Sequence, residues 1–267
     1  MPNPSAALAA KVLVSHRIYK LPIDPFDIAR KEGIVIKPGL YADDFDARIE
    51  YYPGLNAYSI YHAEPNGWRT EGRVRFSIAH ELGHYYLPEH RARLRSGVEH
   101  DSESDFVSRD PKEIEADEFA ADLLMPMELF RKEIPTFRGG FCQIKDLMTL
   151  ADRLGVSVTS IARRYCESDG EACTIYFSEG GRVRWGKYSE DMKRRYMYYY
   201  EYNTAPPAGS NTRAYWDAKK AGTPVDRLAS QVSAQVWFPS TFTKTLWEEV
   251  MPLGNTGRVI TMLTPHE

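Results

Sequence analysis

The amino-acid sequence predicts an α+β protein in two parts: a mainly helical N-terminal domain with a small antiparallel sheet, and a smaller α+β module at the C-terminus. Helical periodicity governs most of the first 168 residues. A stretch of alternating β-branched, aromatic and polar residues from Arg48 to His62 interrupts it, and beyond Gly170 the texture changes to hairpin signals. The boundary is placed near residues 168–171, giving domains at 1–168 and 169–267. A chain of 267 residues is long enough for two modest domains, each with its own core.

Residues from about 5 to 19 repeat apolar side chains (Leu8, Val12, Ile18) at a helical interval. Asp24-Pro25-Phe26 reads as a capped helix start with Pro at the first helical position, Gly33 ends that helix, and Ile34-Val35-Ile36 is a short strand. Pro53-Gly54 divides the segment 48–62 into two strands, and Asn66-Gly67 is a turn. A helix follows from about Arg73 to Leu87, stopped by Pro88. Residues 89–110, rich in charge, Ser and His, read as an exposed loop. Asp110-Pro111 opens the next helix, which runs to Met125-Pro126, and two shorter helices are expected at about 143–153 and 157–166. In the C-terminal module Ala172–Phe177 and Arg182–Trp185 flank Glu179-Gly180-Gly181, a hairpin signal, and Val232–Phe238 and Arg258–Leu263 are further strand-like runs.

The bulk properties narrow the classes of function. Hydrophobic residues make up 43% and charged residues 27%, enough to build a core. The net charge is −3 with a pI near 6.2, so no overall basic field draws the chain to nucleic acid. Three cysteines (Cys142, Cys166, Cys173), odd in number and without Cys-x-x-Cys spacing, argue against a disulfide framework and a thiolate zinc site. The N-terminus lacks a signal-peptide pattern and no run approaches a membrane span, so a soluble protein of the reducing cytoplasm is expected.

The strongest chemical signal is His80-Glu81-Leu82-Gly83-His84. On a helix, residues i and i+4 share a face, so two imidazoles at this spacing can grip one metal ion while the intervening Glu addresses water at the ion. Two residues compete for the third ligand position. His90 stands six residues after His84, as in the HExxHxxGxxH arrangement, but Leu87 occupies the position where that arrangement needs a Gly to turn the chain. Glu113 opens Glu113-Ile-Glu-Ala-Asp117, two carboxylates at i and i+4 on one face, of which one can bind metal while the other hydrogen-bonds a ligand imidazole and fixes its tautomer. Asp110 and Glu113 also have capping-box spacing, though an Asp cap works without a partner and capping leaves Asp117 unexplained. The pattern favours Glu113, with Glu115 facing elsewhere.

Arg75-Phe-Ser-Ile-Ala79 ahead of the His80–His84 motif, together with Glu113-Ile-Glu-Ala-Asp117-Glu-Phe-Ala-Ala-Asp-Leu-Leu-Met-Pro126, resembles the ImmA/IrrE family of zinc metallopeptidases over roughly residues 5–166. The resemblance implies a zincin-like peptidase domain in which His80, His84 and Glu113 hold the metal, Glu81 is the general base, and Asp117 takes the family's Asn-or-Asp position beside a ligand. Zinc is the expected ion, and manganese suits the same donors. The group stabilising the oxyanion is not marked; Tyr85, Tyr86 and a His of the 85–110 segment are candidates. The resemblance further implies a GAF-like sensory C-terminal module. It also implies an intracellular endopeptidase that cuts a regulatory partner, a helix-turn-helix repressor, in a stress or mobile-element response that reaches transcription.

The alternative is a DNA-binding or sensory regulator with a structural metal site. It rests on the helix-turn-helix-like pair at about 143–166, where Ala151 lies four residues before Gly155 and Ser157, Thr159, Ser160, Arg163 and Arg164 are candidate DNA contacts. A net acidic chain disfavours it. The tyrosine run Tyr196–Tyr200 and the tryptophans of the tail read as core or partner surface rather than a nucleotide site.

Overall fold

A computed structural model describes residues 4–41, 45–65, 70–97, 110–134, 142–168, 170–196, 200–239, 245–254 and 256–266. The turn expected at Asn66-Gly67, the loop stretch 98–109 with His100, and residues 197–199 of the tyrosine run lie outside the described residues. The fold is α+β, with two sheets among the described residues. The chain divides into two units, residues 1–133 with 150–160, and residues 134–149 with 161–267.

The first unit opens with α1 (Pro4–Ser15) and α2 (Pro25–Lys31). Asp24 caps α2 by accepting a hydrogen bond from the Phe26 amide, Pro25 fills the first helical position, and Gly33 leaves at φ +74°, which an L side chain rarely adopts. The strands β1 (Val35–Gly39), β2 (Ala47–Tyr52) and β3 (Ala57–Ala63) form a sheet in the order β1-β3-β2. The β2–β3 pair is antiparallel as expected, but β1 runs parallel to β3, so the sheet is mixed rather than antiparallel. Helix-less chain signals in β1 do not encode direction; the path from β1 back to β2 does.

α3 (Glu71–Tyr86) is capped by Thr70, whose side chain accepts from the Arg73 amide. Its buried side runs through Val74, Ile78 and Leu82. Arg73 fastens the first turn to the sheet: its Nε and a terminal nitrogen lie 2.9 and 2.7 Å from Oδ2 of the buried Asp46. The segment after Pro88 corrects the sequence expectation of a loop beginning at 89. It starts as α4 (Pro88–Arg95), with Pro88 at the first helical position and His90 and Leu94 buried one turn apart. Arg91 lies over the Tyr85 ring at 4.2 Å, and Nε of Arg95 donates to the Tyr58 hydroxyl. α5 (Pro111–Leu124), capped by Asp110, packs against both α3 and α1, and α6 (Met127–Glu133) follows it.

α7 (Ile144–Leu154) and α8 (Val158–Glu167) stand where a helix pair was expected, and both contribute residues to each unit. Gly155, at φ +64°, makes the turn between them and lies against Arg75.

The second unit carries β4 (Thr174–Glu179) and β5 (Arg182–Tyr188), whose hairpin turns through Gly180 and Gly181 at φ +56° and +79°, the conformation a two-residue hairpin loop requires. Next come α9 (Glu190–Tyr196), α10 (Asn211–Lys220), β6 (Leu228–Ser233), α11 (Ala234–Trp237), β7 (Thr245–Pro252) and β8 (Arg258–His266). The antiparallel sheet has the order β5-β4-β8-β7-β6. The run 232–238, expected as strand, ends its strand at Ser233; that side chain accepts from the Gln235 amide and starts α11, so Trp237 and Phe238 are buried from a helix and its cap. Tyr176 stacks on Trp237 with ring centroids 4.5 Å apart, and Tyr196 on Phe238 at the same distance. The three cysteines are free thiols, all buried in this unit.

Two adjacent glutamates of β7 are buried. Glu248 accepts from the Asn211 and Thr212 amides, each at 2.9 Å, and from the Thr212 hydroxyl at 2.7 Å, while the Ser210 cap takes the Arg213 amide. The open donors of the first turn of α10 are thereby met. Burial pushes the Glu248 carboxyl above its ordinary range, and these donors pull it back. Glu249 accepts from the Ile144 amide at the start of α7. Replacing Glu248 by Gln sets an amide N–H against backbone donors. The expected loss is about 1–3 kcal/mol in the unfolding of this unit, read by denaturant titration with fluorescence from Trp185, Trp216, Trp237 and Trp247; an unchanged midpoint would contradict this account of the cap.

Candidate metal centre

The centre is built where α3 crosses α5. Gly83 makes that crossing close: a Cβ at this position would lie 3.1 Å from the Ala116 Cα, 3.2 Å from its carbonyl oxygen and 3.3 Å from a Phe119 ring carbon. Ala116 is flanked one turn apart by Glu113 and Asp117, so both carboxylates face the His80 and His84 side of α3. Asp110 caps α5 with its own side chain by accepting from the Lys112 amide, and the Glu113 carboxylate lies within 3.2–3.5 Å of the two histidines.

His80, His84 and Glu113 converge. The two Nε2 atoms are 3.0 Å apart, Glu113 Oε2 is 3.2 Å from His80 Nε2, and Oε1 is 3.5 Å from His84 Nε2. Donors 2.0–2.1 Å from a tetrahedral ion stand about 3.3 Å from one another, so this triangle has the size that a zinc-like ion requires. All three residues are buried, and among the described residues they form a group of ligand atoms able to hold a metal ion.

The chemistry of the donors agrees with the geometry. His80 Nδ1 donates to Asp117 Oδ1 at 2.9 Å, which leaves the Nε2 lone pair pointing into the triangle. Lone pairs of two imidazoles and a carboxylate directed at one point repel unless a cation lies between them. Burial opposes charge on His80, but the hydrogen bonds to Asp117 and Glu113 and the nearby Glu81 carboxylate prevail and raise its pKa to about 10, the mark of a site that favours positive charge. Glu81 is fully buried on the same helix.

Other sequence candidates are placed as follows. His90, the rival third ligand, is buried on α4 and turned toward the far edge of the His84 ring, Nδ1 to Nδ1 at 3.0 Å; its Nε2 is 3.1 Å from Glu115 Oε2. Burial lowers the His90 pKa, and the Glu115 bond only partly offsets that. Glu115 is exposed, as expected, yet engaged with His90. The Tyr85 hydroxyl donates to Glu32, and the Tyr86 hydroxyl is 3.1 Å from His16 Nε2, so both phenols tie the end of α3 to its neighbours. Burial and Glu32 raise both phenol pKa values. Ser157 accepts from the Ser160 amide at the start of α8, and Thr159 is half-buried beside it. Arg163 lies over the Trp185 ring at 5.0 Å, and the buried Arg164 pairs with Glu167, which leaves Arg164 little surface for a phosphate. The Arg73–Asp46 pair and the His90–Glu115 contact were not found from sequence, because each joins residues far apart in the chain with no local pattern.

A buried group of two helix-borne imidazoles and a carboxylate from a second helix is a donor set found among HExxH metallopeptidases. Residues 66–165 match the family model of peptidase family M78, the IrrE N-terminal-like domain, so this stretch of the chain is similar to the ImmA/IrrE proteins. The match supports a metallopeptidase acting on protein. No curated protein matches the chain.

Replacing Gly83 by Ala tests the crossing. The new methyl meets backbone atoms of α5, so the helices must part by a few tenths of an ångström. Metal affinity is expected to fall, while the melting temperature of the apoprotein changes little because Ala gains about 1 kcal/mol of helix propensity over Gly. Unaltered affinity in a metal titration would show that the close crossing does not set the centre.

Proposed function

We propose that the protein is a zinc-dependent endopeptidase of the cytoplasm that hydrolyses a peptide bond in a regulatory partner protein. The carrying observation is the triangle of His80 Nε2, His84 Nε2 and a Glu113 carboxylate oxygen at 3.0–3.5 Å, with Asp117 holding the His80 tautomer. A divalent ion bound there supplies Lewis acidity, polarising a peptide carbonyl and lowering the pKa of water. Glu81, between the two imidazoles on α3, takes the proton of the attacking water and passes it to the leaving amine. Burial of the whole set keeps bulk water from screening these charges.

The ImmA/IrrE relationship supports a narrow substrate, a helix-turn-helix repressor cleaved in a stress or mobile-element response, and hence an indirect role in transcription. The C-terminal unit fits a GAF-like sensor: its antiparallel sheet places its first and last strands side by side at the centre, and two of its helices lie between the second and third strands. Three free thiols support a reducing compartment, and no helix among the described residues is long and apolar enough to cross a membrane.

Elemental mass spectrometry on purified protein tests the centre. About one zinc per chain is expected in the wild type, with most of it lost in Glu113→Gln; manganese in its place would change the ion and keep the ligand set. Glu81→Gln should retain the metal and slow cleavage of the cognate partner about 10²–10⁴-fold. A Glu81→Gln variant that cuts at the wild-type rate would end the peptidase mechanism.

A further inference from the structure

Three acidic residues of one stretch of α5 stand in different relations to the centre. Glu113 and Asp117 face it, whereas Glu115 lies two residues on from Glu113, about 200° around the helix, and cannot reach it. Glu115 is 55% exposed at its side chain, yet its Oε2 is 3.1 Å from Nε2 of His90, which is 3% exposed. The other ring nitrogen of His90 is 3.0 Å from His84 Nδ1, with the two rings tilted by 35° and their centroids 4.9 Å apart.

With His90 neutral, the protons in this chain of contacts have one consistent arrangement. A carboxylate only accepts, so His90 donates from Nε2 to Glu115. A neutral imidazole with its proton on Nε2 has an acceptor at Nδ1, so His84 donates from Nδ1 to His90. The lone pair of His84 is then confined to Nε2, the atom that faces His80 and Glu113.

We propose that His90 is a positioning residue for the metal centre, and that with Glu115 it fixes the tautomer and ring orientation of His84 as Asp117 does directly for His80. The proposal rests on the ligand set of the proposed function and gives α4 a task. It also accounts for the position of His90: its Nδ1 meets the far side of the His84 ring, away from the triangle, so it supports a ligand without being one. One stretch of α5 thereby serves all three ligands, binding the ion through Glu113, His80 through Asp117 and His84 through Glu115 and His90.

The experiment is a competition titration of zinc against a chromophoric chelator on the full chain, with the visible absorption of the cobalt-substituted protein as a second readout. His90→Phe, which removes the acceptor, should weaken zinc about 10–100-fold and perturb the cobalt spectrum while one ion still binds at saturation. His90→Gln should restore affinity to within a few-fold, because its amide accepts from His84 and donates to Glu115. Glu115→Lys should weaken zinc comparably from an exposed position where folding is not at risk, since a donor there reverses the His90 tautomer. Glu115→Gln keeps an acceptor and should bind nearly as the wild type does, and Glu118→Lys on the same helix measures the effect of charge alone. Equal affinity in wild type, His90→Phe and Glu115→Lys would overturn the proposal, as would an equal loss in Glu118→Lys and Glu115→Lys. Loss of stoichiometry in His90→Phe and His90→Gln alike would overturn it by making His90 a ligand. A wild type that binds no metal would overturn the ligand set itself.

Discussion

The close crossing of α3 and α5 at Gly83 and Ala116 is the constraint on which the rest of the first unit depends. Two helices each carrying a pair of functional side chains at i and i+4 can bring all four together only where their backbones nearly touch, since imidazole and carboxylate side chains reach only a few ångströms from the helix surface. Larger residues at 83 and 116 would set the axes further apart. The remaining elements hold that crossing in register. Thr70 and Asp110 set the first turns of the two helices, Arg73 binds α3 to Asp46 at the sheet, and Glu32 accepts from Tyr85 at the other end of α3. The α1 helix backs α5 from its own side.

The motif of the centre was legible in the chain because it is local twice over. His80 with His84, and Glu113 with Asp117, are spacings that helical geometry converts directly into shared faces, and the caps at Asp24 and Asp110 announce themselves by residue type. What was not legible depends on distant partners. α4 buries His90 and Leu94 and lays Arg91 and Arg95 across tyrosine rings, so its sequence is too polar to show a helical apolar face. The parallel pairing of β1 with β3 is a property of chain path, not of the side chains in β1. β7 escaped recognition because Glu248 and Glu249 break its pattern, and the reason they are tolerated lies at the N-termini of α10 and α7. At 232–238 the aromatic residues suggested strand, but Ser233 diverts the chain into a helical turn.

The two units solve the problem of buried acid in different ways. In the first, carboxylates converge with imidazoles on a point suited to a cation. In the second, carboxylates are met by the open amides of helix N-termini, with Glu249 also paired with Arg227 at 2.6 Å, and Thr212 extends the contact by sharing a 2.7 Å hydrogen bond with Thr261 on the neighbouring strand. Burial alone would drive either kind of carboxylate toward its neutral form; specific donors keep them useful as acceptors.

The adjacency of Glu248 and Glu249 has a consequence for the alignment of the sheet. Successive residues of a strand project from opposite faces, so β7 grips a helix N-terminus on each side through neighbouring positions. A slip of one residue would exchange the faces of the two carboxylates and strand both, together with the amides they serve. Antiparallel strands of mixed polarity are otherwise free to pair in more than one alignment. Here the pair of acids acts as a two-sided key, admitting a single alignment of β7 between β8 and β6.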